Sequence, residues 1–280
     1  MSWFMGVDIG SAYTKGVITR DLELVASHTI ISGTNHRTSA QAIRSELMRK
    51  INLTDNDILN TVATGYGADS VYFADHKASD IVCTARGINN VFPQARTVID
   101  IASQSTRVIR LDESGIVTNF TVSEKCAAGS GRFVEVIANI LRIDLADFGR
   151  LAARSKNPIT FGTGCAVFGE SEAITRISEG IPKEDIAAGV SKALASKITS
   201  LVKKVRLEEP CAVCGGGALN TSLVKTTETE LSINLLIPPR PQLVTALGAA
   251  IIAATLKTSQ SSKKRRFWPA PDRKRLPDEQ

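Results

Sequence analysis
The chain has 280 residues, 43% of them hydrophobic and 22% charged, a balance that suits one large or two medium globular domains and excludes a fibrous or wholly disordered protein. Its net charge of +6 is local: residues 257–280 hold eight Lys/Arg against three Asp/Glu, the rest 26 against 25, so the body offers no basic face for nucleic acid. Five cysteines, an odd number at irregular spacing, exclude a disulfide framework and suit a reducing compartment, where thiols are buried, catalytic or metal-bound.

Residues 1–7 are apolar but stop at Asp8, so they form no signal-peptide core. The longest late apolar run, 243–256, is shorter than the roughly twenty residues a membrane span needs, and a cytoplasmic protein without a membrane partner is expected. Residues 4–9 and 15–19 read as strands joined by a turn at Gly10-Ser11, and 22–31 as the third strand of a β-meander. Helical periodicity covers 38–50, with Ala42, Ile43, Leu47 and Ile51 on one face. A strand over 60–64 ends at Gly65-Tyr66-Gly67, and a helix covers 78–90. Strands at 97–101, 106–111 and 116–122 then repeat the opening pattern, an internal echo. Helices are predicted at 131–141, 144–154, 170–178 and 183–206. A strand over 210–214 runs into Gly215-Gly216-Gly217 and a helix from Asn220; a strand over 233–237 and a helix from Gln242 close the fold. The Ser/Pro-containing basic stretch 257–280 reads as a disordered tail.

Three turns of small residues stand out, the first two suited to phosphate and the third to a nucleoside. Asp8-Ile9-Gly10-Ser11-Ala12-Tyr13-Thr14-Lys15 joins two strands through small residues, whose backbone N–H groups can wrap phosphate oxygens while the carboxylate holds Mg²⁺ through water. Asp100-Ile101-Ala102-Ser103-Gln104-Ser105 occupies the same place in the second half. Gly215 to Asn220 follows a buried strand and opens a helix, as expected of a wall against a nucleoside. Two further segments carry cysteine: Lys125-Cys126-Ala127-Ala128-Gly129-Ser130-Gly131, and Gly162 to Glu172 around Cys165. Each cysteine lies near a helix start, where a thiolate feels the positive helix end and glycines let a bulky inorganic group approach. Two such thiolates are half of the four an iron–sulfur cluster needs, although buried core thiols are the plain alternative.

In this order and spacing the segments resemble the actin, sugar-kinase and Hsp70 type of ATPase, and with the cysteines the BadF/BadG/BcrA/BcrD ATPase family, over about residues 3–256. That family contains activators of 2-hydroxyacyl-CoA dehydratases and ATPase subunits of benzoyl-CoA reductases. The resemblance implies an α/β fold of two ribonuclease H-like lobes, 1–96 and 97–256, with ATP in the cleft and residues 257–280 outside it. It implies Asp8, Asp100 and Gln104 as catalytic residues and Gly10, Ser11, Lys15, Ser103, Gly215, Gly216, Gly217 and Asn220 as the Mg-ATP-binding set. It also implies one [4Fe–4S] cluster shared between two subunits, each supplying Cys126 and Cys165.

Activators usually read Asp-x-Gly-Gly-Gln-Asp-x-Lys at the second hairpin, where this chain has Ala102, Ser103, Gln104, Ser105 and Arg107. That departure, the triple glycine and the length look most like the short ATPase subunit of benzoyl-CoA reductase. The expected partners are then a homologous longer ATPase subunit, catalytic subunits that bind an acyl-CoA, and ferredoxin as electron source. A homodimeric dehydratase activator is the alternative. A small-molecule kinase with a structural Zn held by Cys126, Cys165, Cys211 and Cys214 is a third.

The remaining candidates read as structural. Cys211 and Cys214 lie three apart on a strand, so their thiols point to opposite faces as inert core groups. Cys83 reads as core, His28, His36 and His76 form no ligand spacing, and Glu170 and Glu172 suit a helix first turn.

Overall fold
The computed structural model describes residues 2–123, 130–162 and 166–256. Two five-stranded sheets share one topology. In the first, β3 (Glu23–Ile31), β2 (Tyr13–Arg20), β1 (Trp3–Ile9), β4 (Ile58–Thr64) and β5 (His76–Lys77) lie side by side in that order. In the second the order is β10 (Leu235–Leu236), β9 (Cys211–Cys214), β6 (Thr97–Ile101), β7 (Thr106–Leu111) and β8 (Val117–Val122). Each is an antiparallel meander extended by two parallel strands on its first strand. The central strands β1 and β6 carry almost unbroken apolar runs because helices cover both faces.

Helix α1 (His36–Lys50), capped by the Asn35 carboxamide, lays Ile43 and Leu47 over Gly16 of β2, where a Cβ would come within 2.2 Å of Ile43. Helices α3 (Gly131–Leu141), α4 (Phe148–Ala152), α6 (Lys183–Val205) and α7 (Thr221–Leu231) contribute to the core that includes Ile99, Ile101, Val108 and Val213 of the second sheet. The remaining faces are covered by exchange. α2 (Asp80–Val91) precedes the second sheet in sequence and packs on Val98, Ile109 and Leu111, whereas α8 (Val244–Thr255) ends the fold and packs on the first sheet. The two helices cross in backbone contact: a Cβ on Gly248 would lie 1.7 Å from the Cys83 carbonyl oxygen, and one on Gly87 2.1 Å from that of Val244.

Three predicted elements differ. The expected helix over 144–154 is a 3-10 turn, Leu145–Asp147, leading into the short α4. Gly149 within it lets the turn press on the Asn220 and Thr221 segment, where a Cβ would come within 2.8 Å. Helix α5 (Ala166–Ser178) starts four residues earlier than the apolar pattern predicts. Gly169 is accommodated there because it faces the Phe133 ring, which a Cβ would meet at 2.9 Å. The strand over 233–237 shortens to Leu235–Leu236, and β5 has only two residues, too few for any alternation to show. Among the described residues no helix is long and apolar enough to cross a membrane.

Candidate active site
The two meanders end in hairpins that match residue for residue. Gly10 N–H donates to the Tyr13 carbonyl at 3.1 Å, and Ala102 N–H to the Ser105 carbonyl at 3.0 Å. Asp8 pairs in register with Lys15, and Asp100 with Arg107. The side chains repeat this: Lys15 Nζ lies 3.0 Å from Asp8 Oδ2, and an Arg107 terminal nitrogen 2.9 Å from Asp100 Oδ2. Ala102 therefore closes the same turn as a glycine would, and Arg107 supplies the cation that Lys15 supplies in the first half. Ser32 braces the first hairpin through its hydroxyl, which donates to the Gly10 carbonyl at 2.6 Å.

A glycine seals the floor behind each carboxylate. Gly65 follows β4 at φ +87°, and a Cβ there would strike Asp8 Oδ1 at 2.3 Å. Gly215 follows β9 at φ +83°, and a Cβ there would strike the Ile101 carbonyl at 2.4 Å and Asp100 Oδ1 at 2.5 Å. Gly67 and Gly217 repeat the match, pressing on Ile9 and Ile101. Gly216 differs from its neighbours: among the described residues beyond its chain neighbours, no atom lies within 4 Å of its would-be Cβ. Its surroundings leave room for a ligand, whereas Gly215 and Gly217 are required by packing on β6. Asn220 caps α7, its carboxamide oxygen accepting from Leu223 N–H at 3.1 Å; its buried amide nitrogen has no partner among the described residues.

The electrostatics of the floor are coupled. Burial pushes the Asp100 carboxyl above the ordinary carboxylate range; Arg107 opposes this and the charge of Asp8 adds to it. Burial also works against the Arg107 charge, but Asp100, Asp80 and Asp8 outweigh it and hold the guanidinium protonated. Arg107 additionally bridges to Asp80, the first residue of α2, so one guanidinium ties the second hairpin to a crossing helix. Its contact with Asp100 is an ion pair rather than an aligned hydrogen bond, since Asp100 Oδ2 has no hydrogen-bond partner among the described residues. Asp80 lies in no local motif. The seven-residue spacing shared by Asp8–Lys15 and Asp100–Arg107 is the sequence signal for the second cation.

Gln104 is exposed at the hairpin tip, and Ser11 and Ser103 are half-buried. All three line a cavity of about 640 Å³ between the hairpins, together with Arg132 and Glu135 of α3. The second hairpin is bonded to that helix: Gly131 N–H donates to the Ala102 carbonyl and Arg132 N–H to the Ser103 carbonyl, both at 2.9 Å.

Cys126 and Cys165 lie outside the described residues. Their flanking helices pack together, α3 against α5, with the Phe133 and Phe161 rings edge to face at 5.7 Å. Among the described residues no group of three His, Cys, Asp or Glu could hold a metal. Cys211 belongs to the core on one face of β9 and Cys214 to the core on the other. The two thiols therefore face apart and cannot join one four-cysteine zinc site; burial pushes the Cys211 thiol up to about 12 and Cys214 well above the usual thiol range. Cys83 is likewise buried, its thiol pushed up to about 12 mainly by burial.

Comparison with known proteins agrees with this geometry. The chain is 40% identical to the 2-hydroxyisocaproyl-CoA dehydratase activator of Clostridioides difficile over 89% of its own length and 94% of that protein. The solved structure of that activator with bound ADPNP superposes with a TM-score of 0.86 over 90% of this chain and 94% of that one. Component A of the Acidaminococcus fermentans (R)-2-hydroxyglutaryl-CoA dehydratase superposes with a TM-score of 0.87 at 36% identity, covering 91% of this chain and 98% of that one. A benzoyl-CoA reductase subunit of Thauera aromatica is 30% identical over 89% of this chain and 92% of that protein. The two-lobed architecture is the actin-like ATPase fold. By its match over residues 5–253, the chain belongs to the BadF/BadG/BcrA/BcrD ATPase family.

Proposed function
We propose that this chain is an ATP-dependent activator of a 2-hydroxyacyl-CoA dehydratase. The observation that carries the choice is the second hairpin. Its departures in sequence favour a benzoyl-CoA reductase subunit that leans on a longer homologue. In the fold, however, Ala102 keeps the turn and Arg107 keeps the cation, so both halves of the cleft are equipped. The 40% identity to a dehydratase activator, against 30% to the reductase subunit, supports the same choice.

In this reading Mg-ATP lies between the hairpins. The Ser11 and Ser103 N–H groups at the hairpin tips would take the phosphates, Asp8 would orient the metal's water shell, the enclosed Asp100 fixes the second hairpin through Arg107, and Gln104 would orient the attacking water. The open face of Gly216 takes the nucleoside. Cys126 and Cys165 would hold half of a [4Fe–4S] cluster, the partner in a dimer supplying the rest; that cluster supplies one-electron chemistry. The dehydratase is the proposed electron acceptor and a ferredoxin the proposed donor.

The test is anaerobic purification followed by assay with a 2-hydroxyacyl-CoA dehydratase component. Expected are about four irons per two chains, ATP-dependent activation by this chain alone, and loss of iron in Cys126→Ser and Cys165→Ser. Activation that required a longer homologous ATPase subunit would instead favour the reductase reading.

A further inference from the structure
Arg132 stands apart from the other cations at the cleft. Lys15 is held by Asp8, and Arg107 is held between Asp80 and Asp100, both pairs at the floor. Arg132 lies on the first turn of α3, its side chain about half exposed (52%), 2.9 Å from Glu135 one turn along the same helix. Among the described residues that line the cavity between the hairpins it is the only cation. Exposed pairs of this spacing are weak, so Arg132 can exchange Glu135 for a phosphate at little cost. A charge-assisted, two-pronged contact to phosphate is stronger than that.

We propose that Arg132 is a γ-phosphate-sensing residue: it leaves Glu135 for the terminal phosphate of ATP and thereby transmits nucleotide state to α3. Transmission follows from the backbone. Gly131 and Arg132 donate their N–H groups to Ala102 and Ser103, so the hairpin that cradles phosphate and the helix start are one hydrogen-bonded unit. The close approach is built in, because a Cβ on Gly131 would sit 3.3 Å from the Ala102 carbonyl oxygen. When Arg132 turns to the phosphate, its helix loses the Glu135 pair and gains a tether in the cleft. ADP lacks the group that would draw the side chain across. The cavity thus distinguishes nucleoside triphosphate from diphosphate through a residue on the helix that follows the Cys126 segment.

The inference rests on ATP binding between the lobes, and its test separates the two. ADPNP and ADP affinities are measured by calorimetry on the full chain, wild type against Arg132→Gln and Glu135→Gln. Arg132→Gln should weaken ADPNP binding about 10- to 100-fold while changing ADP binding less than about twofold. Glu135→Gln should tighten ADPNP binding by about twofold, because the competing carboxylate is gone. Hydrogen exchange in the peptide spanning 130–141 should respond to ADPNP in the wild type and not in Arg132→Gln. Equal weakening of both nucleotides, or of neither, would overturn the role of Arg132 and leave nucleotide binding intact. Failure of the wild type to bind either nucleotide would overturn both.

Discussion
Neighbouring glycines in one run do different work. Gly215 carries a left-handed φ of +83° and its missing Cβ makes room for the Asp100 carboxylate, whereas Gly216 faces open space. Gly215→Ala should therefore destabilise the nucleotide-free protein by about 2 kcal/mol or more. Gly216→Ala should change stability by less than about 0.5 kcal/mol and act, if at all, on nucleotide affinity. Chemical denaturation of the two variants checks the first statement, and nucleotide titration the second. Equal stability losses would mean that the run is uniformly structural. The sequence shows three glycines after a buried strand; it cannot show which of them the Asp100 side chain leans against, because that depends on β6 lying next to β9.

At the scale of elements, the informative unit is the hairpin with its cation. Asp100 is fully enclosed, and Arg107 makes an ionised carboxylate tolerable there. Arg107→Gln should cost about 3–5 kcal/mol near neutral pH, since it strands a buried charge. The sign of its pH dependence follows from the raised pKa of Asp100. A carboxyl with a folded value above its unfolded one binds a proton on folding, so its contribution is fully present below the ordinary range near 4 and is lost as pH rises through the folded value. Without Arg107 that folded value rises further. The variant's deficit should then shrink as pH is lowered from 8 towards 5, and urea melts across that range measure it. A deficit independent of pH would mean that Asp100 is not the group left uncompensated. The pairing is half legible in the sequence: Lys15 and Arg107 each follow an aspartate by seven residues. The bridge from Arg107 to Asp80 is not, because α2 meets β7 only after the chain has folded across the second sheet.

At the scale of the whole molecule, the crossing of α2 and α8 joins the halves. Each helix covers the sheet that the other half of the chain builds, and they touch where Gly87 and Gly248 remove side chains. A methyl at 248 would drive the backbones apart and shift Asp8 relative to Asp100. Gly248→Ala should lower stability by about 2–4 kcal/mol. It should also weaken ADPNP and ADP binding together, unlike Arg132→Gln, which discriminates between them. Thermal unfolding with and without nucleotide separates these outcomes, and a variant with wild-type stability would exclude a tight crossing.

The sequence by itself determined the two meanders, their hairpins, the triple-glycine turn and the opposite facing of Cys211 and Cys214. Each of these is written in local terms: alternation, turn chemistry and strand parity act over a few neighbouring residues. It also carried the family, because the order and spacing of several short motifs survive where any one alone would be uninformative. The tertiary structure alone decided which sheet α2 and α8 cover, that Arg107 pairs with Asp100 as Lys15 does with Asp8 while reaching Asp80, and that Arg132 opens on the cavity between the hairpins. Those contacts join residues far apart in the chain, and only the packing of one sheet against helices from the other half brings them within reach.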